Sequence, residues 1–247
     1  MVSIYLATAG IVRCAAQYAA TTWRPALGVR LGFASTHTFI NRHALRILAN
    51  DGWVREAGFL AREQDALHAG ACRADGGLGC LGHYFNPRTG RGLWGYLPAT
   101  TIMNHYFKRA LKAWLAGKHR RAVYYLGLAT HLLQDACVPQ HTHGSPGCGH
   151  GAYERWVRQW RGRYGVTRGG LYRPDLLQAS DWLVFNSRVA YNYLDLVAHP
   201  DLEAGYHRAT ADLLPLAQRS TAGFWLYFLT RAGALPGQPA AAGLQVA

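Results

Sequence analysis

Apolar residues recur every three to four positions along most of the chain, and no useful stretch alternates apolar with polar residues. HTFINRHALRILAND (37–51) has this spacing and follows Ser35 and Thr36, which suit a helix start. GWVREAGFLAREQDALHAG (52–70) predicts a second helix. TIMNHYFKRALKAWLA (101–116) predicts a third; Gly117 breaks it and HRRAVYYLGLATHLLQDA (119–136) follows. Further helices fit 150–163, 176–197 and 202–232. The last should kink at Pro215, since proline lacks a backbone donor and crowds the preceding turn. Two long loops interrupt the helices. Residues 71–98 are glycine-rich, with two prolines and several aromatics; residues 137–149 hold Pro139, Pro146 and three glycines. Loops of that length inside a compact domain are usually functional. There is no internal repeat, and the pattern predicts an all-α, single-domain, multi-helix bundle.

The chemistry sits around the second loop. In HLLQDACVPQH (131–141), His131 and Asp135 lie one helical turn apart on the same face. In HGAYE, His150 and Glu154 repeat that spacing. The chain has only 13 acidic residues, so two of them in register with histidines stand out. Imidazole nitrogen and carboxylate oxygen are the usual non-sulfur ligands of zinc. One such pair is common on a solvated helix surface. Two pairs bracketing a loop with His141 and His143 describe a metal nest, with Pro139 ending the helix so that His141 can turn inward. His37, Asp75 and His83 are further polar groups at a helix start and in the first loop. Each alone carries little weight.

Several segments resemble the bacterial zinc-dependent phospholipases C, relatives of the clostridial alpha-toxin catalytic domain, which share an all-helical fold with the S1/P1 nucleases. They are STHTFINRHAL (35–45), GACRAD (70–75), HYFNPRTG (83–90), YYLGLATHLLQDACVPQH (124–141), GHGAYERW (149–156) and LAQRSTAGFWLYF (216–228). The resemblance spans about residues 23–232. It implies three clustered zinc ions: one held by Asp75, His83, His131 and Asp135, one by His141, His150 and Glu154. The third would use His37, a bridging Asp135, and the amine and carbonyl of Trp23 as a processed N-terminus. It gives Asp75 the role of catalytic base. It further implies a phosphodiesterase acting on phospholipid at a membrane surface, releasing diacylglycerol and a phosphorylated headgroup. The chain departs from the choline-specific pattern, holding Gly76 and Cys80 where aromatics would grip a quaternary ammonium. Tyr84, Phe85, Trp94 and Tyr96 lie nearby and are expected to pack the loop.

Charge widens the choice of substrate. The formal net charge of +13 suits an anionic partner. A single-strand nuclease of the S1/P1 type on the same metal scaffold is the alternative, since phosphate contacts dominate nucleic-acid affinity. Glu154, where that group has Asp, and HYFNPRTG favour the lipase. An inactive metal-binding relative is a third reading. No obligate protein partner is evident, and a monomer is expected. The apolar, alanine-rich residues 1–22 resemble a signal or pro-segment and imply secretion, although no positive charge precedes the apolar core and Arg13 interrupts it. Removing them would leave Cys72, Cys80, Cys137 and Cys148, which could pair (72 with 80, 137 with 148, or otherwise) or remain thiols. Residues 233–247 read as a Gly/Pro/Ala-rich flexible tail.

Overall fold

The computed structural model describes residues 35–74, 77–199 and 203–234. The expectations for the leader 1–22, for Trp23, for Asp75 and Gly76 and for the tail beyond Ala234 lie outside the described residues. Those described form helices α1 (Thr36–Asn50), α2 (Val54–Arg62), α3 (Gln64–Ala74), α4 (Ala99–Leu115), α5 (His119–Asp135), α6 (Pro139–His143), α7 (His150–Trp160), α8 (Ala179–Ala190), α9 (Leu194–Val197) and α10 (Glu203–Arg231). Short 3₁₀ turns lie at Gly77–His83, Leu93–Gly95, Arg161–Tyr164 and Tyr191–Tyr193. No strand occurs among the described residues. None of their helices is long and apolar enough to cross a membrane.

Local chemistry explains where the helices differ from the periodicity. α1 starts as expected, with the Ser35 hydroxyl accepting a 3.2 Å hydrogen bond from the Thr38 amide. The predicted helix 52–70 is two helices. Glu63 leaves helical geometry (φ −101°, ψ 13°), and α3 then runs through Gly70 to Ala74, four residues into the predicted loop. Pro139 does not end a helix. α5 has already stopped at Asp135, Val138 is extended (φ −97°, ψ 117°) as a residue before proline tends to be, and Pro139 opens α6. The 176–197 prediction begins late, at Ala179, behind a capping box of Gln178 and Asp181, and breaks after Ala190. α10 continues through Pro215 without being ended by it.

α5 is the axis of the molecule. Every residue from Leu126 to Cys137 is buried, so the C-terminal half of this helix is covered on all sides, whereas His119, Arg120 and Arg121 at its start are exposed. α3, α4 and α10 enclose it, and α8 packs against both α4 and α10. The core around it includes Leu48, Leu67, Met103, Trp182, Trp225 and Phe228. A smaller cluster of Ile40, Tyr153, Val157, Val197, Tyr206 and Leu213 joins α1, α7, α9 and α10. α3 and α5 touch backbone to backbone. A methyl on Gly127 would strike the Leu67 carbonyl oxygen and come within 3.1 Å of the Ala71 nitrogen, and one on Gly70 would strike the Tyr124 carbonyl oxygen.

Polar contacts inside α5 are satisfied by its neighbours. The Trp225 indole donates to the Thr130 hydroxyl at 2.9 Å, and the Asn186 amide donates to the Leu133 carbonyl at 3.1 Å. Cys137 is a buried thiol whose ionisation burial suppresses, and Cys148 is exposed, so the 137–148 pairing is not formed.

At the end of α1, Asp51 accepts hydrogen bonds from the amides of Gly170 (2.8 Å) and Gly169 (3.1 Å) and from the Tyr172 hydroxyl (2.8 Å). Burial works against its ionisation, but these donors outweigh it and hold the carboxyl below its ordinary pKa. A lowered folded-state pKa gives stability that is present above the unfolded value, about 3.9, and is lost as pH falls through the folded value. Asp51→Asn should therefore cost about 1 kcal/mol at pH 7, with solvent screening taken into account. That difference should shrink in acid, as pH falls through the lowered folded-state value. Paired denaturant melts at pH 7 and in acid measure it; a difference independent of pH would contradict the account.

Candidate metal centre

Five elements deliver histidine or carboxylate to one point beside the C-terminal end of α5. His131 and Asp135 come from its last two turns, with Nε2 and Oδ2 3.1 Å apart. His37 comes from the first turn of α1, His83 from the 3₁₀ turn ending at that residue, and His141 from α6. His150 and Glu154 come from the first turns of α7, with Nε2 and Oε1 2.9 Å apart. α7 can begin there because Gly149 caps it in the left-handed region (φ 67°), where a side chain is strained. A Cβ on Gly149 would also lie 2.7 Å from the Ala198 carbonyl oxygen. The short α6 exists to turn His141 back toward α5.

Asp135 is the hub. Its Oδ2 stands 2.9 Å from His83 Nδ1, 3.1 Å from His131 Nε2 and 3.5 Å from His141 Nδ1, while Oδ1 is 3.5 Å from His37 Nε2. Its side chain is only 5% exposed. A buried carboxylate needs partners or a cation. Burial pushes its pKa up, but the charges of His131 and His141 and hydrogen bonds from His131 and His83 prevail, holding it well below the carboxylate range. On the far side, His141 Nε2 is 2.9 Å from His150 Nε2 and 4.0 Å from Glu154 Oε1. Burial lowers the His141 pKa to about 4, against the pull of the Asp135 and Glu154 carboxylates, which raise it. Glu154 is different: its side chain is 43% exposed and borders the cleft.

These atoms form two groups, His37–His131–Asp135 and His141–His150–Glu154, each with its donor atoms within 4.8 Å of one another. His83 stands against the first, its Nδ1 3.2 Å from His131 Nε2. Two ligands on one tetrahedral zinc, each about 2.0–2.1 Å from it, stand about 3.3 Å apart. The observed spacings of 2.9–3.2 Å between ring nitrogens match that cage. Nitrogen and carboxylate donors converging without sulfur suit zinc, so the residues fit the metal.

Seven expected residues thus meet: His37, His83, His131, Asp135, His141, His150 and Glu154. His143 does not. Its ring stacks on Tyr191 at 3.8 Å and its Nε2 bonds the Tyr191 carbonyl, a packing role. The periodicity missed Gln134. Its amide oxygen meets His37 Nδ1 at 2.8 Å, turning Nε2 toward Asp135, and its amide nitrogen donates to Asn41 and Thr221. Such outer partners orient a ligand ring. Only its place beside Asp135 hinted at this; the contact to His37 spans 97 positions. Among the loop aromatics, Tyr84 is buried and stacks on His141 at 4.6 Å, and Phe85 is buried. Trp94 and Tyr96, expected to pack the loop, are exposed. A cleft of about 900 Å³ opens on both groups and continues along Val157, Leu213, Leu214 and Ala217, with Arg155 and Arg158 also in its wall. Cys80, at the departure from the choline pattern, lines it too.

The fold and the site together define an all-α protein whose buried histidine–carboxylate nest could hold divalent metal. The chain belongs to the zinc dependent phospholipase C family, whose model matches residues 36–199, more than half of its 247 residues. Among solved structures, the alpha toxin from Clostridium absonum aligns with a TM-score of 0.74 at 18% identity, covering 86% of this chain and 67% of the toxin. An alpha-toxin of an avian strain of Clostridium perfringens aligns with a TM-score of 0.69 at 18% identity, covering 83% of this chain and 65% of the toxin. The chain therefore shares the toxins' all-α fold and spans about two thirds of their length. No curated protein matches its sequence.

Proposed function

We propose that this chain is a secreted phospholipase C that cleaves the glycerol-side phosphodiester of a phospholipid, leaving diacylglycerol and a phosphorylated headgroup. The observation that carries the proposal is the convergence of seven nitrogen and carboxylate donors beside a cleft with an apolar wall. Family membership supplies the lipid class. Zinc held here would neutralise the substrate phosphate and acidify a water molecule.

The side chains divide the work. His37, His83, His131 and His141 present ring nitrogens to the Asp135 carboxylate; its Oδ2 faces His131 of one donor group and His141 of the other, while Oδ1 faces His37. His141, His150 and Glu154 hold the second group, with Glu154 at the open edge. Three ions, with Trp23 as a terminal ligand and Asp75 as ligand and base, complete the arrangement that the family resemblance implies. A well-placed carboxylate base contributes about 10²–10⁴-fold. The apolar wall suits acyl chains, and Arg155 and Arg158 suit an anionic headgroup. Secretion is supported by the apolar N-terminal stretch.

The test is one panel on the purified full chain: phospholipids of several headgroups, single-stranded DNA and RNA, each with and without chelator. Diacylglycerol should be released, chelation should stop it, and added zinc should restore it. Release that survives chelation contradicts the metal mechanism. Nucleotide release without lipid cleavage replaces the lipase with the nuclease.

A further inference from the structure

The segment leading into α4 buries one face and displays another. Leu93 is 3% exposed, yet Trp94, Tyr96 and Leu97 are 54%, 45% and 59% exposed. Single exposed apolar residues need no explanation; three within four positions, two of them aromatic, do. The turn is built to hold them outward. The Asn86 side chain accepts from the amides of Arg88 and Thr89, the Asn86 amide donates to Arg91, and the Tyr96 amide donates to Leu93. Gly92 has no room for a side chain, because a Cβ there would lie 2.6 Å from the Tyr96 carbonyl oxygen. Trp94 itself has φ 49° and ψ 33°, and is the one non-glycine residue with positive φ among those described. A bulky residue in the left-handed region is unfavourable, and such strain marks functional positions. A glycine would serve the turn better and display nothing.

The turn adjoins the metal centre. The Tyr96 ring lies beside Gly82, where a Cβ would be 3.7 Å from it, and Gly82 precedes His83. The Phe85 amide donates to the His141 carbonyl, and Leu93 reaches Gly144 at the end of α6. Its charge is of one sign. Arg91 is exposed three residues before Trp94, Arg88 is exposed with its guanidinium 4.5 Å from the Tyr191 ring centre, and no aspartate or glutamate occurs between residues 76 and 134. Tryptophan and tyrosine favour the headgroup zone of a bilayer, and basic residues near a membrane surface are drawn to anionic lipid.

We propose that the turn Trp94–Leu97, flanked by Arg88 and Arg91, is the element that seats this cleft on an anionic phospholipid bilayer. The proposal rests on the phospholipase reading for its biological sense, but its test does not. Trp94→Gly removes the aromatic while relieving the positive φ, so its melting temperature should equal or exceed that of the parent. Sedimentation of the full chain with vesicles of a non-hydrolysable phosphatidylglycerol analogue reads binding without turnover. Binding should be strong, should weaken in neutral vesicles, and should fall at least about tenfold in Trp94→Gly/Leu97→Ser. Hydrolysis of a short-chain phospholipid dissolved as monomer should stay within about twofold of the parent. Parent-like vesicle binding by the variant, or no vesicle binding by the parent, overturns the proposal. Equal loss of vesicle binding and monomer hydrolysis also overturns it, by placing the turn in the active site. Retained vesicle docking in a chain that hydrolyses no phospholipid would leave the surface standing and remove the phospholipase reading.

Discussion

Asp135→Asn is expected to strip the chain of bound zinc and lower phospholipid hydrolysis by well over a hundredfold, while the helical signal in circular dichroism persists. Asparagine keeps the shape of aspartate but brings no charge, and its amide nitrogen turns a donor toward imidazole nitrogens. Oδ1 faces His37 and Oδ2 faces His83, His131 and His141, so an amide nitrogen at either place leaves at least one ring nitrogen without its acceptor. Gln134→Leu sets the scale for comparison. It leaves every donor in place but frees the His37 ring, and loss of such an outer partner typically costs 10–100-fold in metal affinity or activity. Zinc content after dialysis and initial rates on phospholipid measure both variants. Full metal content and full rate in Asp135→Asn would remove it from the site; an equal loss in the two variants would make Gln134 a structural residue instead.

Gly127→Ala is expected to destabilise the fold by about 3 kcal/mol, although it replaces the poorest ordinary helix former with the best. The added methyl meets backbone atoms of α3, which cannot rotate aside as a side chain can. α3 and α5 must separate, and His131 lies one turn beyond the crossing, so metal affinity should fall as well. Gly58→Ala is the control. It also lies inside a helix, but its Cβ would have only the tip of Arg62 near it, at 3.9 Å. That variant should gain about 0.5–1 kcal/mol from propensity alone. Denaturant titration of the pair should give opposite signs. A stabilised Gly127→Ala would mean that the crossing is looser than the backbone contact requires.

Much of the centre was readable because its parts repeat at helical spacing. His131/Asp135 and His150/Glu154 each sit one turn apart, and geometry within a helix does not depend on the rest of the fold. The helices from Thr36, from His119 and from His150 began within a residue of where caps and periodicity put them. Other features depended on contacts that no local pattern encodes. The division of 52–70 at Glu63 and the run of α3 through Gly70 follow from packing against α5. Gln134 and Trp94 show the same limit in opposite directions: one looked like an ordinary helix polar residue, the other like loop filling.

The sequence by itself determined an all-α chain and the donors on each helix, because both are matters of 3.6-residue spacing and ligand chemistry. Tertiary structure alone decided that His37, His83 and His141, from three other elements, reach the same carboxylate. It decided that Pro139 opens a helix rather than closing one, and that the aromatic turn beside the site faces water. Those outcomes turn on close backbone approach and burial, which join residues far apart in the chain and leave no period along it.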